Sequence, residues 1–387
     1  MKKLGEIAEK INSGKTPLGG EAVYTREGVL FIRSQNVNND KLDLDNPVYI
    51  PESINNQMKN SIVKSDDILL NITGASLGRS CVVPKDFKVG NVNQHVCIIR
   101  LNIQYSPRFV QPIFSSNKGQ LIFNSLQTGS GREGLNFESI KGIKLSIPQK
   151  DEQIKIATFL SLIDQRIETQ NKIIKKLESL IRGLNNYLHK KYGNDVEISL
   201  AKLGKSYNGL SGKSGDDFGM GKPYITYVNV YQNSTVDESM IGYVKISDGE
   251  KQNTIRYGDA LFTISSETSE EVGISSVYLG ENQELYLNSF CFGYRLDDFN
   301  ILNPKYMPYC FSSYKFRKFV YPLAQGSTRF NLHMHHFMNK KFKIPTAQNQ
   351  LRIRKLLDSI SEKLQTEKFI YSSLREQKSY LLKKLFI

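Results

Sequence analysis

The apolar positions divide the chain into two kinds of segment, and each kind occurs twice. From Asp151 to Tyr192 there is no proline, and Gly183 is the only glycine. Apolar residues fall there on two heptad series, Leu160, Ile167, Ile174, Ile181, Leu188 and Ile156, Ile163, Gln170, Leu177, Leu184. Nine of those ten positions are apolar, and a seam repeating every seven residues predicts a long helix paired with another. The second pair of series is Leu357, Leu364, Tyr371, Lys378, Leu385 and Ile353, Ile360, Glu367, Leu374, Leu381. Pro148 and Pro345 stand just ahead of these stretches and mark where the helices begin. A helix of about 40 residues is about 60 Å long. The plainer reading is a surface helix packed on its own domain. So long and narrow a seam favours pairing with the other copy, antiparallel, with Gln170, Glu367 and Lys378 as polar interruptions that fix register.

Ahead of each long helix the pattern is short and β-like. Val29 to Arg33, Asp67 to Ile72 and Val92 to Leu101 are rich in β-branched residues and bounded by Gly, Asn and Pro, which predicts strands. Proline at a helix start predicts a helix from about Pro107 to Leu126. Its counterpart runs from Pro304 to about Leu323, shortened by Pro308 and Pro322.

The two halves are a duplication. Pro107 matches Pro304, Phe114-Ser115-Ser116 matches Phe311-Ser312-Ser313, and Arg132 matches Arg329, all at an offset of 197. Ile147-Pro148 matches Ile344-Pro345, and Gln153 matches Gln350, at the same offset. Upstream, Ser13-Gly14-Lys15-Thr16 pairs with Ser211-Gly212-Lys213-Ser214, and Asp66-Asp67-Ile68-Leu69 with Gly258-Asp259-Ala260-Leu261. Two long units are a duplication rather than a solenoid. The expected fold class is α+β: two globular domains joined by two long helices that pair as an antiparallel coiled coil, with a pseudo-two-fold internal repeat. The expected boundaries are 1–148 and 193–345 for the domains and 149–192 and 346–387 for the helices.

Composition narrows the partners. The chain has 387 residues, 52 Lys and Arg against 38 Asp and Glu, and a net charge of +14. That surplus favours a polyanion, either nucleic acid or an anionic membrane. No apolar run is long enough for a membrane span, and no secretory signal opens the chain. Cys81, Cys97, Cys291 and Cys310 are scattered in apolar contexts, which reads as buried free thiols in a reducing cytoplasm.

Several motifs suggest chemistry and fail on inspection. Gly129-Ser130-Gly131-Arg132-Glu133-Gly134 fits GxGxxG, but a helical pattern precedes it and a strand-like Ile143 to Ile147 follows, the reverse of a dinucleotide site. Gly14-Lys15-Thr16 and Gly212-Lys213-Ser214 end like a P-loop, yet Glu9 and Tyr207 occupy the position of its first glycine. Each loop still joins a small residue, a Lys and a hydroxyl, which suits a backbone phosphate approached closely over the Gly. Asn46-Pro47-Val48-Tyr49 and Asn303-Pro304-Lys305-Tyr306 lack the second Pro of the amino-methyltransferase motif and read as turns. His333, His335 and His336 match no metal-ligand spacing and have no counterpart in the first copy.

The duplicated chain resembles the specificity subunit of type I restriction–modification enzymes. The resemblance is carried by Lys3-Leu4-Gly5-Glu6-Ile7, Ser13-Gly14-Lys15-Thr16-Pro17 and Phe31-Ile32-Arg33-Ser34-Gln35-Asn36-Val37. It continues through Asp67-Ile68-Leu69, Gly74-Ala75-Ser76-Leu77-Gly78 and the helix entry from Ile147-Pro148 to Gln153. The C-terminal Leu374, Lys378 and Leu381-Leu382-Lys383-Lys384-Leu385-Phe386 is also similar. Such subunits often carry a short segment ahead of the Lys-Leu-Gly-Glu stretch; here the chain starts almost on it, which leaves a truncated or alternative start open. The resemblance implies two target recognition domains, each reading one half of a bipartite, asymmetric sequence in double-stranded DNA. It implies that the helices space the halves and dock two methyltransferase (modification) subunits, which restriction/translocase subunits then join. S-adenosylmethionine, ATP and Mg²⁺ would belong to those partners, with no cofactor, no metal and no catalysis in this chain.

Arg, Gln and Asn can make paired hydrogen bonds to guanine or adenine edges. The first copy offers Arg33, Gln35, Asn36, Thr73, Ser76, Arg79, Asn93, Gln94 and Arg132 in expected turns and strand ends. The second offers Tyr227, Asn229, Tyr231, Ser265, Ser266, Thr268 and Arg329. The copies differ most between Thr73 and Arg79 and between Ser265 and Val272, where a difference in specificity is expected. Lys15, Thr16, Lys213 and Ser214, with the recurring Arg132 and Arg329, are expected on phosphates. Two other classes stay open: an enzyme that joins DNA reading to catalysis in one chain, and a coiled-coil adaptor or scaffold with a basic surface.

Overall fold

A computed structural model describes residues 1–38, 40–127, 134–282 and 284–386. The chain forms two compact units, 1–171 with 369–387, and 172–368.

The first unit carries two four-stranded sheets. One has the order Ala8–Ser13, Val96–Leu101, Ile68–Asn71, Ser80–Val82, antiparallel throughout. The other has the order Val48–Ile50, Val29–Ile32, Gly90–Val92, Ile62–Val63, with its central pair parallel. The expected strand from Val92 to Leu101 is thus two strands in two sheets. Residues 93–95 make the crossing, and they become a loop rather than part of a ladder.

The second unit repeats this order. Gly204–Asn208, Cys291–Leu296, Ala260–Thr263 and Ser275–Val277 form the antiparallel sheet. Ile241–Val244, Phe218–Ile225 and Tyr286–Leu287 form the mixed one. Each antiparallel sheet is pinned by a buried ion pair. Arg100 grips Asp67 with two hydrogen bonds of 2.7 Å and donates to the Ile62 carbonyl. Arg295 grips Asp259 at 2.9 and 2.6 Å and donates to the Thr254 carbonyl. Both aspartates also accept a backbone N–H, from Lys64 and from Arg256. With such partners a buried charge is tolerated; without them it is costly.

The single helix expected from Pro107 to Leu126 is two helices, Pro107–Ser115 and Asn117–Leu126. Ser116 breaks them: its backbone is extended and its hydroxyl caps the second by accepting from Gly119 N. Ser313 does the same between Met307–Ser312 and Tyr314–Val320. Cap formation outweighs continuation because the hydroxyl satisfies an amide that the turn would otherwise leave open.

The long helices span Lys150–Tyr192 and Ala347–Leu385. Within the first unit, the start of one lies beside the end of the other, with Lys378 Nζ 2.6 Å from Asp164 Oδ1. Within the second, Lys368 Nζ is 3.0 Å from Glu178, and Leu188 shares a core with Ile353 and Leu357. The helices therefore run antiparallel in each unit. The seam expected from the heptads is covered along most of its length: Leu160, Ile163, Ile174, Ile353, Leu357, Leu364 and Leu374 are buried, and Ile156, Ile167, Leu177, Ile181, Leu184, Ile360 and Leu381 are half-buried, whereas Leu385, at the end of the second helix, is exposed. Gln170 and Glu367 are buried as well. The helix ends also enter the globular cores. Leu160, Leu382 and Phe386 pack with Phe109, Val110 and Ile113 in the first unit. Leu188, Ile353 and Leu357 pack with Phe262 and Phe311 in the second.

The repeated glutamines have a shared task. Gln153 accepts from Ser106 N and donates to the Pro148 carbonyl; Gln350 accepts from Asn303 N and donates to the Ile301 and Pro345 carbonyls. Each ties the first turn of a long helix to its globular domain.

Candidate nucleic-acid interface

In the first unit, four loops at the strand ends are joined by side-chain hydrogen bonds. The Thr16 hydroxyl meets the Gln94 amide, Gln94 Nε2 is 2.9 Å from His95 Nε2, and His95 Nδ1 is 2.6 Å from the Thr73 hydroxyl. Asn71 connects the next pair of loops, donating to the Ser34 carbonyl at 2.8 Å and to Ser76 Oγ at 3.1 Å. Around this network Lys15, Gln35, Arg79 and Gln94 are exposed, and Asn93 is half-buried with its side chain accepting from His95 N. Arg33 lies with its guanidinium over the Tyr24 ring, 5.7 Å from the centroid. Its Nε is buried and has no hydrogen-bond partner among the described residues. Arg79 donates to Asn38 Oδ1 at 3.4 Å. The surface is cationic and amide-rich. Arg132 and most of the Gly129 to Gly134 motif lie outside the described residues.

The second unit gathers a different set. Tyr227 and Tyr231 stack at 6.0 Å. Tyr227 donates to the Ser265 carbonyl at 3.2 Å and Tyr231 to Glu271 at 2.8 Å. Ser266 Oγ donates to the other Glu271 oxygen at 3.0 Å. Those hydrogen bonds from Tyr231 and Ser266 hold the Glu271 carboxyl below its ordinary value. Ser265–Ser266 pairs with Phe330–Leu332, which brings exposed Arg329 to the same edge. Exposed Thr268 completes the cluster.

Six residues depart from expectation here. Asn36 is 4% exposed, accepts from Arg33 N and donates to the Asp43 carbonyl. Asn229 is fully buried and donates to the Asp237 and Met240 carbonyls. Both are internal braces of a turn, with their amide groups already occupied. Lys213 is ion-paired to Glu250 at 2.6 Å and is only 7% exposed, and Ser214 caps a turn by bonding Asp217. That loop is built to hold itself rather than a phosphate. Ser265 is a buried strand residue whose carbonyl is taken by Tyr227. Gly14, expected to let a phosphate approach, instead lets its own chain approach: a Cβ there would lie 1.6 Å from the Val92 carbonyl oxygen.

His95, Asn71, Asn38, Tyr24 and Glu271 were not legible as members of these clusters. The one sequence cue is that His95 follows Asn93-Gln94 directly. A carboxylate such as Glu271 only accepts and can take the cytosine N4 hydrogen, which a guanidinium cannot.

Among the described residues, no group of three or more His, Cys, Asp or Glu side chains could hold a metal ion. His333, His335 and His336 lie at the start of a short helix, Met334–Asn339. All four cysteines are buried and free, and burial alone pushes the Cys97 and Cys291 thiols up to about 12. No described helix is long and apolar enough to cross a membrane.

The curated relatives include the specificity subunit of the type I restriction enzyme EcoKI of Escherichia coli K12. It is 25% identical over 273 residues, 65% of this chain and 58% of that protein. The EcoBI specificity subunit of Escherichia coli is 27% identical over 164 residues, 42% of this chain and 33% of that protein. The chain thus spans between a third and three fifths of these relatives. Among solved structures, the type I restriction–modification S subunit from M. genitalium aligns over 100% of this chain and 95% of its own, with a TM-score of 0.57 at 17% identity. A chain from a structure on complex assembly and conformational transition of the type I R-M system aligns over 99% and 96%, with a TM-score of 0.59 at 16% identity. At those identities the likeness is one of fold. The family profile described as Type I restriction modification DNA specificity domain matches residues 1–179 and 200–376, both copies of the repeat. With the duplicated sheets, the paired helices and two sets of polar loops, that match places the chain in the family of type I restriction–modification DNA specificity domains.

Proposed function

We propose that the chain is the non-catalytic, cytoplasmic specificity subunit of a type I restriction–modification complex, and that its two globular domains, 1–148 and 193–345, each read one half of an interrupted DNA target. The observation that carries this reading is the pair of unlike polar loop clusters on like sheets. One sheet order presents Arg, Gln and Lys in the first unit and Tyr, Thr, Glu and Arg in the second. Two readers built on one scaffold with different side chains give two unlike half-sites.

Lys15 and Arg329 contact phosphates and set register, together with Arg132; Lys213 drops out of that set because Glu250 holds it. Arg33, Gln35, Arg79 and Gln94 read base edges in one half. Tyr231, Thr268 and Glu271 read in the other. The long helices, 149–192 and 346–387, fix the distance between the halves and dock two methyltransferase subunits, which restriction/translocase subunits join. Those partners bring S-adenosylmethionine, ATP and Mg²⁺, and the methyltransferase flips the target adenine out of the duplex.

The test is genome-wide adenine methylation in cells carrying the cognate methyltransferase subunit, with and without this chain. One asymmetric, interrupted motif that appears only with the chain is the expected result. Methylation unchanged while the subunits still co-purify would leave assembly without reading and reject the specificity role.

A further inference from the structure

The hairpin Val37–Asn38 with Lys41–Leu42 leads out of the Ser34–Asn36 turn and ends against the long helices. Asp40, in its bend at φ +64°, accepts from Gln111 at 2.7 Å and from the Ser115 hydroxyl. Lys378 Nζ then lies between two carboxylates, 3.0 Å from Asp40 and 2.6 Å from Asp164. The ammonium is largely enclosed, 15% exposed. A second tie, Lys41 to Glu168 at 3.0 Å, joins the same hairpin to the first long helix. At its other end the hairpin meets the candidate readers. Asn38 accepts from Arg79, and Asn36 braces the turn that carries Arg33 and Gln35.

The second unit has none of these charges in the matching places. At the offset of 197, Lys378 corresponds to Ile181 and Asp164 to Ser361. The segment placed like Asp40 is Ser234-Thr235, uncharged, with Thr235 bridging Val277 in parallel as Asp40 bridges Cys81. There an open cleft of about 840 Å³ is lined by Ser234, Thr235, Ile181 and Ser361. Exchange of all three charged members together marks the triad as a feature of the first unit, beyond the shared scaffold.

We propose that Lys378 is a positioning residue for DNA reading by the first unit: through Asp40 it holds the 37–42 hairpin, and with it the Arg33–Asn36 turn and Arg79, against the long helices. Recognition of one half-site therefore depends on the last turns of the C-terminal helix, and recognition of the other does not. This rests on the reading of the chain as a specificity subunit.

The experiment uses the full chain assembled with its methyltransferase subunits. Binding is measured to the cognate duplex, to a duplex changed in one half and to one changed in the other. Lys378→Met should lower discrimination in the first unit's half by about tenfold, a loss comparable to one mismatched pair, and leave the other half within about twofold. Lys378→Arg, which keeps the charge, should restore most of it, and Asp164→Asn should give a smaller loss in the same half. The unaffected half reports that the variant is folded and assembled. Equal losses in both halves, or no loss in either, overturn the positioning role. A wild-type assembly that discriminates neither half overturns the specificity reading, and this one with it.

Discussion

The two units anchor their long helices in the same places with opposite chemistry. At the helix end, the first unit sets Phe386 against Phe109, ring to ring at 5.6 Å. At the equivalent positions the second sets His189 against Tyr306, stacked at 5.6 Å and hydrogen-bonded at 2.7 Å. One turn earlier, Leu382 packs in the first core, whereas Asn185 donates to the Tyr309 carbonyl in the second. Nearer the middle of the helix the polarity reverses. There the first unit holds the Lys378, Asp40 and Asp164 triad, and the second has Ile181, Thr235 and Ser361. A duplicated scaffold therefore fixes where an anchor is needed and leaves open whether burial, hydrogen bonds or charge supplies it. The physical consequence is a first unit held ionically near its Val37–Asn38 and Lys41–Leu42 hairpin and a second unit held through a buried imidazole.

Four measurements test that contrast, the largest effect first. Phe109→Ala removes a ring that is 2% exposed and should destabilise the first unit by about 3–5 kcal/mol. Hydrogen exchange should show the loss in the strands around Ile68–Asn71 and leave those around Ala260–Thr263 protected. Uniform deprotection would deny that the two cores are separate. The second is pH. Burial pushes the His189 imidazole down to about 4, from an ordinary value near 6.5, with the Lys315 charge adding to it. The unfolded chain binds this proton more readily, so stability present above pH 6.5 is lost as pH falls toward 4, by roughly 3 kcal/mol from this group. A double change, His189→Phe with Tyr306→Phe, copies the first unit's pair and should flatten that part of the acid dependence. An unaltered pH profile in the double variant would assign the acid sensitivity elsewhere.

Third, Arg79→Ala should cost about 1–3 kcal/mol in one half-site and relax its sequence, with the other half unchanged. A shift in the second unit's half would reverse the assignment of halves. The smallest effect separates two lysines that look alike in sequence. Lys15→Ala should weaken binding to every duplex and reduce the slope of log K on log salt by about 0.9. Lys213→Ala should leave that slope unchanged, because Glu250 already holds its charge. Equal slopes for the two variants would place Lys213 on DNA after all.

Periodicity and duplication are properties of one dimension, and the sequence alone determined both. A seven-residue apolar repeat can be satisfied only by a helix with a partner, so the expected seam residues are at least half-buried, with Leu385 at the helix end as the exception. A repeat held at an offset of 197 from Pro107 to Gln153, with small shifts upstream, forces the same scaffold twice, so repeated residues such as Gln153 and Gln350 make matching bonds. What the tertiary structure decided is which polar residues are spent on the fold. Asn36 and Gln35 are neighbours, yet one is a buried brace and the other is exposed. Lys15 and Lys213 occupy matched loops, yet among the described residues only Lys213 has a carboxylate beside it. Asp40, Asp164 and Lys378 lie far apart in the chain and meet around one ammonium. A polar side chain's role follows from the partners within about 3 Å of it, and those partners are set by chain segments that no local pattern connects.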